Sequence, residues 1–244
     1  MATNKNVVLI MGPPNTGKST ALQNLSNQEQ MVYLNADLKE IPFLDKFAKS
    51  VEIADALSVI EFVNQIEQEP GVTGAVLDTI TLLMSMYERQ YVKTAVNTQQ
   101  AWGDYGDFYR SLIHAIKSGS KNYAILAHED SFLNEKTHQM EYRVPIKGSV
   151  GKIGAEADFT NILTTRRVAI SELEGHENDL LHITDEERED GEKCVFVTRP
   201  SGDLRGIKSR STNGLWKRSE LYIDNDLEQV FNRIQEFYGT KAVA

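Results

Sequence analysis

The stretch MGPPNTGKST, residues Met11 to Thr20, follows the apolar run VVLI and constrains this chain more than any other feature. It fits the pattern G-x-x-x-x-G-K-[ST] with Gly12, Gly17, Lys18 and Ser19. A strand that delivers the chain to such a loop lets successive backbone N–H groups converge on phosphates, because glycines permit the tight curl. Pro13, Pro14, Asn15, Thr16 and Thr20 complete the predicted cradle. Lys18 is placed to reach the β- and γ-phosphates, and the Ser19 hydroxyl to ligate Mg²⁺. ATP with Mg²⁺ is therefore the expected ligand, and a helix beginning at the loop is expected to add its positive end to the field.

The rest of the chain reads as an α/β fold with a mainly parallel sheet. Short apolar runs suited to buried strands occur at Val7 to Met11, Met31 to Asp37, Gly74 to Ile80 and Tyr123 to His128. Tyr105, Phe108, Tyr109, Leu112, Ile113 and Ile116 form an apolar stripe at helical spacing. Leu227, Val230, Phe231, Ile234 and Tyr238 repeat it, with Asn225 and Glu228 as the expected cap. FTNILTT, LLHIT, KCVFVTR and LYI read as further strands, some antiparallel, extending the sheet after about Asp158. No repeat or linker divides the 244 residues, so one domain is expected, with a core over about 6–165 and a sheet extension with C-terminal helix over about 158–240.

Composition narrows the setting. The chain is 41% hydrophobic and 25% charged, as in ordinary globular proteins. No apolar run approaches the ~20 residues of a membrane span, and MATNKNVVLI lacks the features of a secretion signal. A single cysteine, Cys194, points to a reducing cytoplasm. A net charge of −9 argues against a general nucleic-acid coat but leaves room for a local basic groove. Glu172 to Glu192 is dense in carboxylates and reads as solvated surface, whereas Arg199 to Arg218 carries six basic residues against one acid.

Three strand ends supply partners for the phosphate loop. Asp78 closes AVLD and is expected to complete the metal site with Ser19. Asp37 closes VYLNAD and Glu40 follows; either is expected to orient the attacking water as general base. His128 ends YAILAH, where its ring can approach the γ-phosphate and report it.

MGPPNTGKST, VLDTITLL, WGDYGDFYRSLIHAI, AILAHED and PIKGSVGKIGAEADF, in this order, make the chain similar to the RecA-like ATPases, and within them to phage-encoded members that accompany single-strand annealing and recombination. The resemblance spans roughly Asn6 to Arg210. Asp37 stands where RecA-type proteins usually carry glutamate, and His128 where RecA itself has glutamine, so the identity of the base stays open between Asp37 and Glu40.

The resemblance implies a ring or filament with ATP at subunit interfaces. Lys208 and Arg210, spaced K-x-R so that both project from one face of a strand, would reach a neighbour's γ-phosphate as a finger. It also implies a mobile DNA loop, here VPIKGSVGKIGAEADF, presenting Lys147, Gly148 and Lys152 to single-stranded DNA, with Tyr142 and Arg143 nearby. Trp102 and Tyr105 read as core packing, with base stacking the other possibility. A single-strand binding protein is a further implied partner. Two other readings remain: a nucleotide-gated loader acting on protein partners without DNA, and a small-molecule phosphotransferase, which the lack of an arginine-rich lid disfavours.

Overall fold

The computed structural model describes residues 4–136 and 138–241; the first residues of the MATNKN segment lie outside them. VVLI, apolar at every position, becomes the buried strand β1 (Val7–Gly12), which must be covered on both faces. It sits inside an eight-stranded sheet with β5 (Asn122–His128) on one side and β8 (Asn161–Ala169) on the other, both parallel to it. Beyond β5 the parallel order continues through β4 (Gly74–Asp78) and β2 (Met31–Asn35) to the edge strand β3 (Lys49–Glu52). Beyond β8 lie β9 (Glu192–Val197) and β10 (Tyr222–Asp224), each antiparallel to its neighbour. This is the mainly parallel α/β sheet expected, with antiparallel strands added towards the C-terminus.

Alternation along the strands explains the layers. Val7, Leu9 and Met11 face one side with Leu34, Leu77 and Ile125, and are covered by α1 (Ser58–Gln68), α2 (Ile80–Tyr87) and α3 (Thr98–Ser118). Val8 and Ile10 face the other with Tyr33, Val76 and Leu126, covered by Leu22, Leu25 and the apolar stripe of α7 (Leu227–Lys241). Tyr105 is buried against Tyr87 and Trp102 in the first layer. Between β5 and α4 (Gly148–Ile153) a separate hairpin projects, β6 (Asp130–Asn134) with β7 (Gln139–Arg143). Two short helices, α5 (Ile170–Leu173) and α6 (Asp185–Asp190), lie between β8 and β9. No described helix is long and apolar enough to cross a membrane.

Four local expectations are corrected. No full helix follows the phosphate loop; a single 3-10 turn, Thr20–Leu22, does, because the Gln28 side-chain amide donates to the carbonyls of Leu22 (2.8 Å) and Gln23 (3.1 Å) and ends the turn. LLHIT is not a strand: the Leu180 and Leu181 amides bond to Asn178, and the Leu180 carbonyl accepts from Asp224 N at 2.7 Å, so no ladder forms. The helix α7 is capped not by Asn225 but by Asp226, whose Oδ1 accepts from Glu228 N at 2.8 Å. The glycine loop around Lys147 is instead the short helix α4, whose Val150 is buried.

Candidate nucleotide site

The strands β1, β4 and β5 and the segment after β2 end at the same edge of the parallel sheet, the place where open α/β sheets bind ligands. Pro14, Asn15, Gly17, Lys18, Ser19 and Thr20 line a 280 Å³ cavity there with Asp37, Lys39, Pro42, Asp78, Thr79 and His128. Two glycines make the loop possible. A Cβ on Gly12 would run into Thr165 of β8, whose carbonyl oxygen would lie at 2.9 Å. Gly17 has φ +90°, and a Cβ there would meet the Asn225 side chain and, at 3.1 Å, the Cys194 Cβ.

The loop is anchored from behind. Thr16 Oγ1 donates to the Pro13 carbonyl at 2.8 Å or shares a proton with Thr165 Oγ1 at 2.6 Å. Asn225 Nδ2 donates to the Gly17 carbonyl at 2.6 Å, and Arg167 to that of Asn15 at 3.3 Å. Lys18 is buried, its Nζ donating to the carbonyls of Gly12 (2.9 Å) and Pro13 (2.7 Å). An ammonium has three donors, so one remains for a phosphate oxygen. Burial holds the Lys18 pKa below its ordinary value, against the pull of Asp78, Glu129 and Asp37.

Asp78 is buried at the end of β4, and its Oδ2 accepts from Ser19 Oγ at 3.1 Å and from the Tyr33 hydroxyl at 2.7 Å. Burial pushes its pKa up, and those two hydrogen bonds oppose the rise. A hydroxyl and a carboxylate are hard oxygen donors of the kind Mg²⁺ takes alongside phosphate and water. Ser19 and Asp78 therefore fit that ion. No group of three or more metal-ligating acids, histidines or cysteines occurs among the described residues.

Asp37 lines the same cavity and pairs with Lys39 at 3.3 Å. Glu40 does not: it lines a neighbouring 730 Å³ cleft with Asn35, Phe43 and Asp45, which leaves Asp37 as the one of the two brought to the phosphate loop. His128 is half-buried at the end of β5, and burial first, Lys18 second, hold its pKa below the ordinary value. Its neighbour Glu129 forms a bidentate pair with Arg166 of β8, at 2.6 and 2.9 Å.

The remaining sequence candidates lie away from the cavity. Ile207 and Ser209 are buried while Lys208 and Arg210 are more open, the expected alternation, but the segment is not a strand: only Arg210 bridges, to Ile162. Lys208 Nζ sits 3.2 Å from Glu141 Oε2 of the hairpin. The Arg210 guanidinium donates to the carbonyls of Glu156 (2.7 Å), Ala157 (3.0 Å) and Phe159, so within this chain it caps a turn. Lys147 pairs with Glu88 at 2.9 Å, Gly148 lies against the Trp102 ring at φ +66°, and Lys152 is exposed on α4.

Tyr33, Glu129, Arg166 and Asn225 are absent from the sequence-based site. HED at 128–130 offered a local signal for Glu129, and Tyr33 lies in the VYLNAD strand, but Asn225 meets the loop across 208 residues with no local signal.

The sequence model of a family described as AAA domain matches residues 4–162, which covers β1, the phosphate loop, β4 and β5. No curated protein matches the chain. Among solved structures, the crystal structure of the RadB recombinase is similar with a TM-score of 0.41 and 12% identity, over 67% of this chain and 76% of that one. A likeness at that level leaves the activity to be read from the site.

Proposed function

We propose a function from one premise: the chain belongs to the AAA domain family. Its activity is Mg²⁺-dependent ATP hydrolysis, and the observation that carries this is the phosphate loop closing on Asp78, with Ser19 Oγ 3.1 Å from the carboxylate and Lys18 buried beside them. Lys18 and the loop amides bind the phosphates, and Ser19 and Asp78 hold the cation. Magnesium, when bound, neutralises charge on the β- and γ-phosphate oxygens. Asp37, the one carboxylate of the cavity besides Asp78, orients the water and takes its proton as the bridge from the γ-phosphorus to ADP breaks. His128, held neutral by burial, hydrogen-bonds the γ-phosphate and reports its presence.

The protein works as a ring or filament in the cytoplasm and binds single-stranded DNA to assist homologous recombination or annealing, as the phage-encoded RecA-like ATPases that its motifs resemble do. Lys208 and Arg210 carry the finger role across the subunit interface, Lys208 from its pair with Glu141 and Arg210 from its bonds to the Glu156 and Ala157 carbonyls. Lys152, exposed on α4, and Lys147 and Gly148 at its start present the DNA surface.

One observation favours a second reading, a nucleotide-gated loader of protein partners. Lys147 and Lys208 are already paired with Glu88 and Glu141, and α6 exposes acidic residues along most of its length. Steady-state ATP hydrolysis with Mg²⁺, with and without single-stranded DNA at low and moderate salt, separates the two. Stimulation that fades with salt is expected for the DNA-coupled machine; hydrolysis indifferent to DNA overturns it in favour of the loader.

A further inference from the structure

The Tyr33 hydroxyl has no role in the reading above, yet it donates to Asp78 Oδ2 at 2.7 Å. Parallel pairing sets this up. Tyr33 on β2 stands beside Val76 on β4, and Val76 and Asp78, two apart, share a face. Tyr33 thus points to the layer where the phosphate loop lies, and its long ring reaches forward to the carboxylate at the strand end. Phe47 stacks on that ring at 5.3 Å and 22°, and Tyr33 is 5% exposed. A phenylalanine would fill this packing equally well. A hydroxyl there must find an acceptor, since a buried unpaired donor is costly, and the acceptor is the buried Asp78.

We infer that Tyr33 is a positioning residue for the metal-holding carboxylate. Its hydroxyl and that of Ser19 both fall on Oδ2. Once Ser19 turns to the cation, the Tyr33 bond is the one that keeps Asp78 oriented, with Oδ1 left for the cation's water shell. The inference rests on the proposed Mg²⁺–nucleotide site and deepens it.

Tyr33→Phe removes the hydroxyl and keeps the ring on Phe47. The measurement is the affinity of a fluorescent ATP analogue with Mg²⁺ and with chelator, in wild type, Tyr33→Phe and Asp78→Asn; the ratio of the two affinities is the coupling between metal and nucleotide. In Tyr33→Phe the melting temperature falls by about 3–6 °C for the lost buried hydrogen bond and the chelator affinity stays near wild type, while the coupling falls about tenfold, the lower end for losing one hydrogen bond to a charged group. The Mg²⁺ concentration for half-maximal turnover rises by a similar factor, and saturating Mg²⁺ restores most of the rate. A purely structural role would weaken both affinities together. Unchanged coupling in Tyr33→Phe, with coupling lost in Asp78→Asn, overturns the inference and leaves the site standing. Unchanged coupling in Asp78→Asn overturns the metal site and the inference with it.

Discussion

Arg166→Met tests whether the pair beneath the site is a buried one. The Glu129 side chain is 1% exposed and that of Arg166 12%, and the two bonds between them, 2.6 and 2.9 Å, are bidentate. Arg166 also donates to the Thr165 carbonyl at 2.9 Å and lies 5.0 Å from the Tyr142 ring centroid. Methionine keeps much of the apolar stem and removes the charge, leaving the buried Glu129 carboxylate without its hydrogen-bonded partner and with Lys18 as a remaining source of positive field. Breaking a buried pair in this way costs about 3–5 kcal/mol, and in a chain of this size each kcal/mol lowers the melting temperature by about 2–4 °C. The expected drop is thus about 6–20 °C, with a matching shift in the urea midpoint followed by circular dichroism. Adding Glu129→Leu removes the stranded charge, so the double variant recovers much of the loss. Salt should alter these differences little, because burial limits screening. A cost for Arg166→Met below about 1 kcal/mol, the range of exposed pairs, refutes the reasoning.

Gly17→Ala is expected to weaken nucleotide binding more than about tenfold, since the φ of +90° alone costs a non-glycine residue about 1–2 kcal/mol and the new Cβ displaces Asn225; wild-type affinity in a titration would contradict this. His128 is held below its ordinary pKa of 6.5, so the folded protein resists protonating it and loses stability as the pH falls below that value. Urea midpoints at about pH 8 and about pH 5.5 should therefore fall further for wild type than for His128→Gln, and equal falls would remove His128 from the account. Arg210→Ala, which frees the carbonyls of Glu156, Ala157 and Phe159, is expected to lower stability by about 1.5–3 kcal/mol. Lys208→Ala should leave stability within about 1 kcal/mol but lower turnover by ~10³; full turnover in that variant sinks the finger.

Legibility in the sequence followed locality. The phosphate loop is one contiguous stretch, and Asp78 and His128 end apolar runs, so their convergence follows from parallel pairing alone. The edge strand β3 was not legible, because its KSVE is polar and mostly exposed, whereas LYI marked β10 at the opposite edge, where the strand is largely buried. The hairpin of β6 and β7 was hidden for a similar reason, being mostly exposed or half-buried. Caps depended on distant partners. Asn225 looked like a helix cap, but the Gly17 carbonyl claims its amide and Asp226 takes the cap. The K-x-R spacing rightly gave a shared face, but what that face meets, Glu141 for one cation and a turn of carbonyls for the other, is set by segments over fifty residues away.

The central claim is that the Gly12–Thr20 loop holds ATP for hydrolysis. Phosphate release from ATP and Mg²⁺ by wild type and Lys18→Ala, with both shown to be folded by circular dichroism, tests it directly. The account predicts turnover by wild type and a loss of at least ~10² in Lys18→Ala. Equal turnover by the two, or none by either at any Mg²⁺ concentration, would contradict it.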